Sequence, residues 1–199
     1  MGGSFVTRIP WLSLFFAALL LVFALDPQAE RRADILGWQR SSGAVWSFWS
    51  CALVHFSPMH ALGDALGLLI GGYCVERQIG PWRLALAWMC VAPLAVLCVS
   101  WLQPDVTHLR GASALAVFGL AAAWIRSWRE AWVSRLWLVL MACLFFAKGL
   151  GDVFGWREAS GTLPEGIQVA WSAHLCATGC AVLCELFLCK SFANAIDSH

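Results

Sequence analysis

Four side chains inside apolar stretches of this sequence carry groups able to do chemistry: His60, Asp64, Ser113 and His174. Polar and ionisable groups are costly in a hydrocarbon layer, so each marks either a function or a buried partner. A serine hydroxyl becomes a useful nucleophile when a base takes its proton, and histidine is the usual base. Amide cleavage also needs donors for the oxyanion that forms, because that charge is otherwise unsupported where the dielectric is low. Ser113, His174 and His60 are a nucleophile, a base and a donor by residue type. Gly111, two residues before the serine, relaxes the backbone there and lets a substrate chain come close. The residues alone leave a second reading open. Serine among the small residues of "RGASALAVFGLAAAW" (110–124) is also material for close helix packing.

Whether these groups meet depends on the elements that carry them. Of 199 residues, 60% are hydrophobic and 13% charged, with a mean hydropathy of +0.72. Soluble domains carry roughly 25% charged residues. The apolar residues come in blocks of about twenty, the length that crosses about 30 Å of hydrocarbon. The chain therefore reads as an all-α integral membrane protein, and its 13 tryptophans suit headgroup-level anchoring. A net charge of +1, with no basic stripe, gives no basis for nucleic-acid binding.

Six spans are predicted at 9–25, 57–75, 82–102, 112–126, 132–150 and 167–189, forming a single transmembrane domain over 1–199. The first span could instead be a signal peptide, but no clear A-x-A cleavage site follows it, which favours a retained helix. Residues 26–56 mix charge with tryptophan and read as an interfacial loop. "RSWREAW" (126–132) reads as a short basic turn. With the N-terminus inside, seven cationic residues face inward against six outward, so both termini are expected to be cytoplasmic.

Spans two, four and six run in the same direction, and in each the polar residues fall in the first two turns. At 1.5 Å of rise per residue, His60, Asp64, Ser113 and His174 then share one depth near one face. Lys148 and Asp152, four apart at the end of span five, read as a boundary ion pair. His55 and His108 are expected at interfaces, solvated. The nine cysteines form no zinc signature. Cys176, Cys180 and Cys184 recur every four residues on one helix face and read as packing.

At this point the sequence resembles the rhomboid intramembrane serine proteases. "VHFSPMHALGDALGLLIGGYCVE" (54–76) resembles that family's second-helix pattern of two histidines, an amide, glycines and a glutamate. "RGASA" (110–114) resembles its fourth-helix G-x-S motif, and "VAWSAHLCATGCAVL" (169–183) its sixth-helix A-H-x-x-G pattern. The resemblance covers about residues 9–190 and implies a six-transmembrane-helix bundle with a Ser–His dyad. Ser113 would attack the peptide carbonyl, and His174 would serve as base and then as acid to the leaving amine. His60 and the Ser113 N–H would hold the oxyanion, with Asp64 and Gly111 in support. Glu76 and Arg77 would be structural. The resemblance implies no metal or organic cofactor, a membrane-embedded protein substrate (single-span or C-terminally tail-anchored), and a multi-pass place in a bacterial inner membrane.

Three departures bear on this. Asp64 stands where the family has an amide, and an ionised carboxylate cannot donate to an oxyanion. It would have to be protonated, or else orient His60 one turn away. Ala114 and Ala177 replace glycines while remaining small. Val117 replaces an aromatic, with Phe118 adjacent. These departures open an alternative, a catalytically inactive rhomboid-like protein that binds transmembrane segments. The short chain also resembles the rhombosortase branch, which processes proteins with a C-terminal Gly-Gly tail anchor. A third class, a haem or metal bundle using His60 and His174, would require a Soret band or bound metal.

Overall fold

A computed structural model describes residues 9–42, 44–131, 133–154 and 169–196, with side chains as far as Phe187 in the last helix. Helices occupy all six predicted segments, and the chain is an all-α membrane bundle. They are α1 (Trp11–Leu25), α4 (Pro58–Ile79), α5 (Pro81–Leu102), α6 (Ser113–Glu130), α7 (Arg135–Val153) and α8 (Trp171–Ile196). By length and composition alone, α5 and α7 are apolar enough to cross a membrane. Residues 167 and 168 of the expected sixth span lie outside the described residues.

The expected interfacial loop contains α2 (Ala29–Leu36), which turns 117° from α1. It continues through α3 (Ser47–Ser50) and a 3-10 turn (Cys51–Leu53), which meets α4 at 101°. Trp46 and Val45 are exposed on it, as an interfacial segment requires. Among the described residues, one two-residue antiparallel pair interrupts the helical pattern: β1 (Trp38–Gln39) against β2 (His108–Leu109). It ties this loop to the segment that precedes Ser113.

Burial runs opposite to that of a soluble protein. Leu86, Met89, Phe146 and Phe187 point outward, whereas Ser13, Glu76, Arg126, Ser172 and Glu185 are buried. Lipid solvates apolar side chains as well as a core does, so close packing and polar pairing hold the helices together. Small residues allow that packing. A Cβ on Gly71 would lie 2.4 Å from Leu120 N and 2.5 Å from Gly119 C. The backbones of α4 and α6 therefore touch, through a π turn at Leu68–Gly72. The small face of α6 serves α4 at Gly67 and Gly71 as well as α8, where Ala177 and Ala181 are fully buried.

Buried ionic contacts fix the other end of the bundle. The Glu76 carboxylate accepts hydrogen bonds from Leu12 N (3.0 Å), Ser13 N (2.8 Å) and Ser13 Oγ (2.6 Å). It thereby satisfies first-turn N–H groups of α1 that have no partner in their own helix. Arg77 donates to the Tyr73 hydroxyl, one turn back on the same helix, at 2.7 Å. Arg126 is part of α6, which continues to Glu130, and is buried rather than lying in a basic turn. It donates to Glu185 at 2.6 Å and to Gln78, joining α6, α8 and α4. A helical turn pairs these charges out of lipid, whereas a loop would leave them at the headgroups.

Candidate active site

The segment before α6 is held in place residue by residue. Arg110 donates to Glu30 (3.2 Å) and Asp34 (3.0 Å), one turn apart on α2, and its guanidinium lies 5.1 Å from the centre of the Phe56 ring. Gly111 donates its N–H to Cys51 O at 2.9 Å. Its φ of +122° is one that a side chain disfavours. A Cβ there would sit 3.0 Å from His60 Cε1 and 3.2 Å from Asp64 Oδ2. Glycine is thus required twice, by conformation and by space. Ser113 follows as the first residue of α6, where an N–H has no intrahelical acceptor.

The start of α8 is capped from α5. Gln103 Oε1 accepts from Ser172 N (3.1 Å) and Ser172 Oγ (2.7 Å), while its amide donates to Val169 O at 3.0 Å. Arg40 in turn donates to the carbonyls of Ser100, Gln103 and Val106, closing the C-terminal end of α5. His174 is therefore carried by a helix whose first turn is anchored. Its Nε2 lies 3.0 Å from Ser113 Oγ. For Nε2 to accept the serine proton, the neutral ring must carry its own proton on Nδ1.

Nδ1 faces Asp152 Oδ2 at 3.7 Å, and the same oxygen is paired with Lys148 Nζ. The predicted Lys148–Asp152 pair is present, but its carboxylate is turned inward, with a side chain 1% exposed. Sequence reasoning missed this contact, although antiparallel topology carries the signal. Helix α7 runs against α6 and α8, so its last turn lies at the depth of their first turns.

Across the site, His60 and Asp64 lie on the first two turns of α4, where Ser57 caps the helix by accepting from His60 N at 3.2 Å. His60 Nε2 is 3.6 Å from Asp64 Oδ2, and its ring stacks parallel to Phe56. The closer partner of Asp64 is His55, whose Nε2 lies 3.0 Å from the same oxygen. His55 had been expected to be solvated at an interface, but its side chain is 1% exposed. The 101° turn before α4 folds this residue back beneath the site, out of reach of solvent. His108 is exposed, as expected.

These residues border one open cavity of about 550 Å³, lined by Ser113, His174, His60, Asp64, Val117 and Lys148 among others. Val117 occupies the lining position, while Phe118 is 2% exposed in the core and does not replace the missing aromatic. Among the described residues no cluster of metal-ligating side chains occurs. The cysteines described are free thiols, with Cys180 and Cys184 against the core.

The family profile described as "Rhomboid domain" matches residues 42–191. One curated relative is the "Rhomboid protease GlpG" of Enterobacter sp. (strain 638), 27% identical over 171 residues. That alignment covers 80% of this chain and 60% of the relative, so the chain spans about three fifths of that protein's length. The profile match takes in the segments that carry His60, Ser113 and His174, and the chain belongs to the rhomboid family.

Proposed function

We propose that this chain is an intramembrane serine endopeptidase working through a Ser113–His174 dyad. The observation that carries the reading is the 3.0 Å contact between Ser113 Oγ and His174 Nε2, made between helices whose residues are 61 apart in sequence. Oγ attacks the scissile carbonyl carbon as its proton passes to Nε2. The tetrahedral oxyanion is held by the Ser113 N–H and by His60, from which Gly111 keeps side-chain bulk away. Collapse breaks the C–N bond, and Nε2–H gives its proton to the leaving amine, leaving an acyl-serine. Water then gives a proton to Nε2 and attacks the acyl carbon, and Oγ leaves with that proton.

Asp64 pairs with His55 in this reading and orients His60, one turn away on α4, so it need not donate to the oxyanion itself. The substrate is a membrane-embedded protein, single-span or C-terminally tail-anchored, cleaved near the face where the cavity opens. The protein sits in a bacterial inner membrane with both termini cytoplasmic. The inert, segment-binding alternative rests on Asp64, Ala114 and Val117, but the serine and histidine are in bonding distance.

Labelling with a fluorophosphonate probe tests the nucleophile. Wild-type protein in detergent should label, and Ser113→Ala and His174→Ala should not. Labelling that survives Ser113→Ala in folded protein refutes the assignment. Comparison of C-terminally anchored proteins in cells with wild-type or Ser113→Ala protein tests the substrate class.

A further inference from the structure

We propose that Asp152 is a positioning residue for His174, a carboxylate on α7 that holds the imidazole in the tautomer proton transfer requires. The inference deepens the dyad reading and rests on it for its consequence, though not for its geometry. Ser113 Oγ can pass its proton only to a bare Nε2, so the neutral ring must be protonated on Nδ1. A carboxylate facing Nδ1 favours that tautomer and later stabilises the imidazolium.

A boundary ion pair by itself does not account for where Asp152 lies. An acid paired only with lysine at a helix end would sit at the rim, where both charges stay hydrated. Here Lys148 is 45% exposed while the Asp152 side chain is 1% exposed. The carboxylate has moved inward, toward α8, and bears on His174 Nδ1 at 3.7 Å. Its Oδ1 has no hydrogen-bond partner among the described residues. The charged and titratable groups against this carboxylate are Lys148 from its own helix and His174 from α8. Helix α6 contributes Ser113 on the far side of the imidazole.

At 3.7 Å the contact is an ion-pair distance, longer than a hydrogen bond. Such contacts are often long before substrate binds and tighten in the complex. The expected effect of removing the carboxylate therefore lies between tenfold and the roughly 10⁴-fold lost from a directly bonded hydrolase triad.

The test uses full-length protein in detergent, with ¹⁵N-labelled histidine and the His174 signal assigned by its loss in His174→Gln. Neutral His174 should be Nδ1-protonated in the wild type, lose that preference in Asp152→Asn, and regain it in Asp152→Glu. In parallel, the maximal rate of fluorophosphonate labelling should fall tenfold or more in Asp152→Asn, with half-saturation changing less. A wild-type His174 protonated mainly on Nε2 overturns the proposal without need of any variant. So does an Asp152→Asn protein with unchanged tautomer and rate. If the tautomer responds to Asp152 while wild-type protein never labels, the assignment of Asp152 stands and the dyad reading fails.

Discussion

Replacing Gly111 with alanine separates the stability of the bundle from the chemistry of its site. At φ +122° alanine adopts a conformation that costs about 1–3 kcal/mol. Its Cβ would lie 3.0 Å from His60 Cε1, 3.1 Å from His60 Nε2 and 3.2 Å from Asp64 Oδ2. Ordinary contacts begin near 3.5 Å, so a neighbour must yield by a few tenths of an ångström. Asp64 is buried and engaged by His55, whereas the His60 side chain is 35% exposed. The imidazole therefore moves. Full loss of one oxyanion donor costs about 10²–10³ in rate, so displacement should cost roughly 10–10³-fold. The assay pairs unfolding in mixed detergent–SDS micelles with the fluorophosphonate labelling rate per folded molecule. If His60 carries the loss, Gly111→Ala adds little to the rate defect of His60→Ala in a double-mutant cycle. An unchanged rate per folded molecule, or fully additive losses, would refute the reasoning.

Other substitutions test the frame that holds the site. Glu76→Gln keeps its shape but presents an NH₂ group to one of the α1 N–H donors; it should cost about 1.5–3 kcal/mol, measured by SDS titration. Breaking the Arg126–Glu185 pair with Glu185→Gln leaves a buried guanidinium short of its partner, and unfolding should become easier by about 3–5 kcal/mol. Replacing both partners with apolar residues should recover much of that loss. Gly71→Ala meets the backbone of α6 and should cost about 1–3 kcal/mol or more through overpacking. Gly179→Ala on α8 meets nothing within 4 Å and should be neutral or stabilising by about 0.5–1 kcal/mol, read in the same titration.

Sequence by itself determined the solvent of this protein and the direction of its helices. Blocks of about twenty apolar residues fit only a bilayer, and their alternation fixed which spans run parallel. From that alone His60, Asp64, Ser113 and His174 were expected at one depth near one face, where they converge only if the helices that carry them are neighbours. A structural role for Glu76 came from the resemblance to the rhomboid family; its donors, Leu12 N and Ser13, appear only in the tertiary structure.

Tertiary structure decided the partners. His55 looked like a solvated interfacial histidine until the bend before α4 buried it against Asp64. Asp152 looked like half of a boundary pair, and only the packing of α7 against α8 turned its carboxylate to His174. Arg126 looked like a turn residue, and the length of α6 made it the centre of a buried network. Gln103 gave no signal at all, since its role is to cap a helix that begins 68 residues later. The reason is common to all four. Hydropathy and period act along one helix, so they set depth and direction, whereas rotation about the helix axis and bends between helices are set by small-residue contacts such as Gly71 on Gly119. Those contacts join residues distant in the chain, and no local pattern encodes them.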